Sequence, residues 1–453
     1  MALPQRLEAR TLGLIAFVVA ISLMVGVAAG IQPRYGVAAA LGLTFAGAVL
    51  ANLTLGVLLF TLLSFLEVVN AGSGAVSFMK VAGLIVFLSW LAAQTLHTRT
   101  RAGRALFVSA PVLSTGVVAF VAWSVMSAAW AVDSGTAVSS SSRFVLDALL
   151  FPVVFGAIRR REHVVWFIAA FVIGAVISAM IGLAQSGGGR LAGGIGDFDA
   201  EAALLVTAMT LDAGLIATLP RGSALRSLAI VAAVIMGVAM IDTGSRGGVV
   251  ALGVVLLAAV IFGGRWRRRA VVVAAVVAVL VPFYFFLLAP SAAIQHLNSD
   301  SSTGRTDLWR VGIKMWEANP VLGVGAGNFP VTAVQYVQSS GPLTRADVIV
   351  DVPHVTHNTY LEILDELGPL GLIALLTIAI GSIASALRAA RLYERAGQQK
   401  FGLMSRSIAL ALVGLLSADF FISNEYEHLL WLLLAVPPAL LALARSDARA
   451  LTR

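Results

Sequence analysis

The sequence contains no cysteine, and only 12% of its 453 residues are charged. Without cysteine there is no disulfide framework, no thiolate metal site and no cysteine nucleophile. Soluble domains usually carry about 25% charged residues, so the low value excludes an ordinary soluble enzyme. The hydrophobic content of 59% excludes a disordered chain, because disorder requires low hydrophobicity. The composition predicts a membrane protein.

Apolar windows near the length of about 20 residues that a spanning helix needs recur along the whole chain. They are 11–30, 35–51, 53–69, 79–97, 108–131, 143–158, 163–184, 202–219, 226–242, 246–263, 269–289, 359–388, 403–423 and 427–445. Some are short, and 35–69 also suits a kinked hairpin or a re-entrant pair. We therefore expect an all-α polytopic membrane protein with 12–14 transmembrane helices.

The windows predict three regions. Residues 1–289 and 358–453 are expected to hold the N-terminal and C-terminal transmembrane helices, and 290–357 a large extracytoplasmic loop with short helices. The first window is expected to remain as a helix, because its apolar stretch is too long for a typical signal peptide. Within the loop, the pattern from Arg305 to Glu317 predicts an amphipathic helix at the outer interface, with Trp309 and Trp316 as anchors.

The net charge of +8 has two explanations, nucleic-acid binding or membrane orientation, and its distribution decides between them. With a cytoplasmic N-terminus, 22 of the 31 Lys and Arg residues fall in loops on the cytoplasmic side. This is the positive-inside pattern, and it also accounts for the basic run Arg265–Arg269. We expect no nucleic-acid partner, and both termini in the cytoplasm.

The few basic and histidine residues assigned to the outer side are therefore informative, and four attract attention: Arg190, Arg246, Arg305 and His357. Arg246 lies in the sequence Asp-Thr-Gly-Ser-Arg-Gly-Gly, where Ser245, exposed amides and a fixed guanidinium suit phosphate oxygens. The alternative is a structural role in which Arg246 pairs with Asp242 or caps the preceding helix.

Acidic residues follow Arg190 at Asp197, Asp199 and Glu201. An Asp-x-Asp pattern can hold a divalent cation on a diphosphate, but the acids also suit the start of a helix, where the dipole favours negative charge. We favour the second interpretation. His354 and His357 have a spacing that could bind metal, but no third ligand is evident.

The segment from His354 to Gly371 is the strongest local pattern. His357 is expected at the membrane surface, on the first turn of a long apolar helix that Asn358 can cap, with Glu362, Asp365 and Glu366 deeper in the helix. A histidine with a pKa of about 6.5 can take a proton near neutral pH, and a carboxylate can orient its ring. The alternative is a histidine that only bonds loop backbone.

These residues carry a resemblance to a known family. His357 and Asn358, followed by Gly368 and Gly371, resemble the signature of the O-antigen ligase and O-antigen polymerase superfamily of GT-C-type membrane glycosyltransferases. The Ser-Arg-Gly turn at Arg246 and the segment from Arg305 to Phe329 are similar to further motifs of that family. The sequence after Arg190 departs from the Pro-Asn pair that members often show.

The resemblance implies transfer of a glycan from undecaprenyl diphosphate to an acceptor hydroxyl, such as that of lipid A-core in lipopolysaccharide biosynthesis, on the outer face of the inner membrane. Arg190 and Arg246 would hold the diphosphate and His357 would assist the acceptor hydroxyl. Further substrate-binding candidates are Arg305, Ser245, Asn358 and Glu366. Neither a metal nor a cofactor is implied.

Two alternatives stay open. A polymerase that joins repeat units uses the same donor chemistry, although one dominant outer loop favours the ligase. A transporter of lipid-linked glycans would place charged or broken positions near the midplane and show an inverted repeat. No repeat is evident, so we expect membrane lipids, a lipid-linked donor and a glycolipid or glycan acceptor as partners, with the oligomeric state open.

Overall fold

The computed structural model describes residues 33–66, 78–96, 102–187, 189–287, 304–344, 346–351 and 354–451. It is 81% helical and contains no strand within these ranges, which confirms the predicted all-α polytopic class. The predicted helix at 11–30 and the start of the large loop lie outside the described residues.

Helices before the large loop follow the apolar windows. Their bounds are α1 Pro33–Ala51, α2 Leu53–Leu63, α3 Phe78–Leu96, α4 Ala102–Ser109, α5 Pro111–Ser127, α6 Ser134–Ala157, α7 Arg161–Gln185, α8 Phe198–Thr218, α9 Ala224–Asp242, α10 Arg246–Phe262 and α11 Arg267–Leu287. The loop and the C-terminal region contribute α12 Arg305–Ala318, α13 Phe329–Tyr336, α14 Asp347–Val350, α15 Thr359–Arg395, α16 Gln399–Ala418 and α17 His428–Leu451.

Seven of these helices are long and apolar enough to cross a membrane, counted over the described residues alone: α6, α7, α8, α9, α15, α16 and α17. Shorter apolar helices accompany them, among them α2, α5 and α10. Every predicted window from 35–51 onward corresponds to a helix, although the bounds differ. For example, α6 begins nine residues before its window, because Asp133 caps its N-terminus and the polar Ser141 side chain bonds Ser124 of α5.

Loops that the charge pattern assigns to one side of the membrane meet at one end of the bundle. Arg161 donates a hydrogen bond of 2.6 Å to the side chain of Gln398, and Arg406 donates one of 2.6 Å to the carbonyl of Phe262. At the other end, the amide of Leu191 donates to the carbonyl of Asp242. The bundle therefore has one end rich in arginine and an opposite end where the predicted outer segments gather.

The large loop has a hydrophobic core of its own. Leu308, Val311 and Met315 of α12 pack with Phe329 of α13 and with Ile349, and these side chains are buried. The predicted amphipathic helix is confirmed, but its apolar face contacts protein. The expectation that this face lies on the membrane is therefore wrong, because the loop supplies the apolar partners itself.

Helix α15 breaks near its start, at Gly368. This residue has a φ of 67° inside an otherwise helical segment, and a Cβ there would collide with the carbonyl oxygen of Val321. Only glycine adopts this conformation readily and leaves room for the neighbouring backbone. The break thus lets the loop segment at Val321 approach α15 directly.

Candidate functional site

Arg190, which follows α7, is fixed against the turn between α9 and α10. Its Nε donates a hydrogen bond of 2.8 Å to the carbonyl of Thr243, and its guanidinium lies 4.3 Å from the centre of the Phe198 ring. The amide of Leu191 bonds the carbonyl of Asp242 beside it. These contacts hold the arginine in one orientation, at the end of the bundle where the predicted outer segments gather.

Ser245 and Arg246 begin α10 on opposite sides of the same turn. Ser245 is buried and caps the helix, since its hydroxyl oxygen accepts from the amide of Gly248 at 3.1 Å. Gly248 is needed because a Cβ at this position would lie 2.7 Å from the Cβ of Ala202 in α8. Arg246 is exposed. The turn therefore presents a guanidinium on a rigid, closely packed base.

Asp199, on the first turn of α8, joins three of the predicted site residues. Its Oδ2 lies 2.5 Å from Nη2 of Arg305, and its Oδ1 lies 3.9 Å from Nη2 of Arg190. The Ser245 hydroxyl also bonds this carboxylate. Segments separated by more than 100 residues of sequence thus converge on one acidic side chain. Sequence reasoning considered Asp199 for metal binding and missed its role as the partner of two arginines.

His357 occupies a left-handed backbone conformation, with a φ of 52°, directly before Asn358, the residue that caps the N-terminus of α15. Such a conformation costs a bulky residue about 1–3 kcal/mol and persists only where neighbours enforce it. Thr356 supplies that constraint, because its hydroxyl donates to the carbonyl of Asn358 and accepts from the amide of Asn358. Asn358 caps the helix, as predicted, by accepting from Tyr360 and Leu361.

The surroundings of His357 keep its imidazole neutral. Partial burial lowers its pKa, and the positive charge of Arg305 lowers it further, while Asp197 and Asp199 act in the opposite direction. A group with a lowered pKa takes a proton only at a pH below its ordinary range. The ring is therefore uncharged and able to accept a proton at neutral pH, and Arg305 and Asp199 are near enough to influence it.

Helix α12 ties Arg305 to the histidine segment. Trp309, one turn after Arg305, donates from its indole Nε1 to the carbonyl of Thr356 at 3.1 Å. The predicted role of Trp309 as a membrane anchor is thus replaced by a contact inside the protein. Since Arg305 and Trp309 share a helix, this bond attaches the first turns of α12 to the segment that contains His357.

Glu366 lies deeper in α15 and is fully buried. Its two oxygens accept from the amides of Gly327 and Phe329, at 2.5 and 3.0 Å, where the glycine-rich segment, residues 323–327, meets α15. The amide of Gly325 also bonds the carbonyl of Glu366. With both carboxylate oxygens engaged by the backbone, Glu366 supports the loop. Its suggested role in substrate binding stays a prediction.

The fold and the site together define a polytopic membrane protein with a basic site that includes His357 at one end of its helix bundle. The family model for O-antigen ligase matches residues 231–376, less than half of the chain. The match contains Ser245, Arg246, Arg305 and His357, and it confirms the predicted resemblance to the O-antigen ligase superfamily of membrane glycosyltransferases. Arg190 and Asp199 lie before the matched residues. No curated protein matches the chain.

Replacement of Glu366 tests its structural role. In Glu366→Ala, two buried amides lose their acceptor, which costs about 1–3 kcal/mol for each. We expect a lower melting temperature in detergent and faster proteolysis within residues 323–344. The control is Glu317→Ala, which removes a half-exposed partner of Lys314 and should cost at most about 1 kcal/mol. An unchanged melting temperature with abolished activity would instead favour direct contact with substrate.

Proposed function

We propose that the protein transfers a glycan from undecaprenyl diphosphate to an acceptor hydroxyl. The observation that carries this proposal is the convergence of Arg190 and Arg305 on one carboxylate, close enough to His357 to influence its pKa, with Arg246 following Ser245 at the start of α10. A transporter needs no fixed base next to such a cluster. A transferase needs a cationic cluster and a base, because the cations hold the departing diphosphate and the base takes the proton from the acceptor hydroxyl.

The arginines suit the donor. A guanidinium is planar and always charged, and it binds phosphate oxygens through paired N–H groups. When the bond between the sugar and the diphosphate breaks, negative charge grows on the phosphate oxygen. Fixed donors aimed at that oxygen stabilise the transition state without rearranging. We assign this role to Arg190, Arg246 and Arg305, with the amide and hydroxyl groups of the Ser245 turn nearby.

His357 suits the acceptor. The acceptor oxygen forms a bond to the anomeric carbon, the bond from that carbon to the diphosphate oxygen breaks, and the hydroxyl proton passes to the imidazole. A lowered pKa keeps the imidazole free of a proton beforehand. Asn358 caps the helix through its side chain, so we assign it to positioning of His357.

We propose further that transfer proceeds without a metal cofactor. Asp199, which the Asp-x-Asp pattern offers as a metal ligand, already faces two guanidinium groups. A carboxylate paired with cations is a poor ligand for a divalent cation, which would be repelled by the same arginines. Positive charge on the donor diphosphate is thus supplied by the protein.

The orientation follows from the two ends of the bundle. We place the arginine-rich end, with the Arg161 and Arg406 contacts, in the cytoplasm, and the site on the outer face of the inner membrane. The lipid-linked donor then reaches the site from the outer leaflet, and the acceptor is a glycolipid or glycan on the same side.

Single replacements test the site. We expect Arg190→Ala, Arg246→Ala and His357→Ala each to lower the transfer rate about 100-fold or more, as the loss of a charge-stabilising donor or a base does. Arg310→Ala is the matched control, because Arg310 lies on α12 with an exposed side chain that bonds the carbonyl of Pro342. It should keep wild-type activity. Retention of transfer by both Arg246→Ala and His357→Ala would show that the site is elsewhere.

The assay itself distinguishes the two family reactions. Purified protein in nanodiscs receives undecaprenyl-diphosphate-linked repeat units with a labelled sugar, together with a lipid A-core acceptor. A ligase moves the label to the acceptor. Growth of labelled chains on undecaprenyl diphosphate, with or without the acceptor, would replace our assignment with a polymerase.

The pH dependence tests the base. Because the folded-state pKa of His357 is lowered, transfer should hold near neutral pH and fall only as the pH drops below the ordinary histidine value of about 6.5. Asp197 raises that pKa, so Asp197→Asn should move the acidic limb to a lower pH. An acidic limb that is unaffected, or that shifts upward, would contradict the role of His357 as base.

A further inference from the structure

The contacts of Asp199 are those that a bound phosphate would make. One carboxylate oxygen faces Arg305, the other faces Arg190, and the Ser245 hydroxyl also bonds the carboxylate. Carboxylate and phosphate are recognised by the same donors, in the same forked geometry. The side chain therefore lies where an external anion would be expected if these arginines bind one.

The contact between Asp199 and Arg190 is too long for a hydrogen bond. Its Nη2 is buried and has no hydrogen-bond partner among the described residues, and it lies 3.9 Å from Oδ1 of Asp199, beyond hydrogen-bond distance. A buried donor without an acceptor costs free energy. A diphosphate has more oxygens and a greater reach than one carboxylate, so it can satisfy Arg190 and Arg305 together.

The local backbone of α8 allows the Asp199 carboxylate to move away from the two arginines. Its amide is fixed by the side chain of Asp197, which caps α8, so the helix start does not depend on the Asp199 carboxylate. That carboxylate is 17% exposed, at the edge of the site. A rotation about its side-chain bonds is enough to move it away from the arginines without unfolding the helix.

We propose that Asp199 is an exchangeable internal anion, which occupies part of the diphosphate site in the free protein and is displaced by the donor. This inference rests on the proposed donor binding by Arg190 and Arg305. When the reaction ends, the carboxylate competes with undecaprenyl diphosphate for the same guanidinium groups. Asp199 thereby limits the affinity for the product and promotes its release, as a positioning residue that does not take part in bond making.

Asp199→Asn tests this directly, since it removes the charge and keeps the shape and a hydrogen bond to Ser245. The probes are inorganic pyrophosphate and farnesyl diphosphate, titrated into the detergent-solubilised full chain by calorimetry. We expect both to bind about tenfold more tightly, a difference of about 1.4 kcal/mol. In the transfer assay, KM for the lipid-linked donor and kcat should both fall, because product release slows.

Asp197→Asn is the matched control. It removes the same charge two residues away, and its side chain caps α8 without an ion pair to either arginine. Asparagine caps a helix as well as aspartate does. We expect affinities for both probes within about twofold of wild type, since only screened long-range charge is lost. A gain equal to that of Asp199→Asn would overturn the proposal.

The remaining outcomes separate this inference from the function on which it rests. Weaker or unchanged binding in Asp199→Asn, with Arg190→Ala and Arg305→Ala both impaired, would show that Asp199 only holds the arginines in place. If neither arginine replacement alters the binding of the probes to otherwise wild-type protein, the donor site itself is misplaced. Asp199→Ser serves as a second variant if the asparagine variant does not fold, with the same expected gain in affinity.

Discussion

The ion pairs of Asp199 with Arg190 and Arg305 are the interaction on which the site depends. Guanidinium groups beside an apolar bundle must be neutralised, because burial of an unpaired charge is costly. One carboxylate does this for two arginines from distant segments. It thereby draws α8, the segment after α7 and the loop helix α12 to a common point. Both guanidinium groups remain available to a diphosphate that displaces the carboxylate, so the pairs that neutralise the free site also indicate what it binds.

A second constraint fixes the large loop on the membrane helices. The first turns of α15 end at the break at Gly368. The glycine-rich segment packs there, and the amides of Gly327 and Phe329 donate to the Glu366 carboxylate. Trp309 extends this attachment to Thr356. His357 and Arg305 therefore belong to one arrangement, although Arg305 lies in α12 and His357 precedes α15. The large loop is therefore part of the site, because its helix α12 supplies Arg305.

The sequence predicted the helices well, because spanning segments are long and apolar and their signal is local. It also indicated Arg190, Arg246, Arg305 and His357 as candidate site residues, since charges assigned to the outer side of such a chain are rare. Their roles stay predictions. Glu366 was assigned to substrate because its partners, the amides near Gly327, are almost 40 residues away and give no local signal. The pairing of Asp199 was missed for the same reason. The membrane-facing assignment of α12 was wrong because amphipathicity reveals an apolar face but not what covers it.

The central claim is that the arginine cluster beside His357 holds the donor diphosphate. The most direct measurement is a cryo-electron microscopy structure of the protein in nanodiscs with undecaprenyl diphosphate. We expect phosphate oxygens within hydrogen-bond distance of Arg190 and Arg305, with Arg246 beside them and His357 facing the position of the transferred sugar. A diphosphate bound at another part of the bundle, or held through a divalent cation on Asp197 and Asp199, would contradict it.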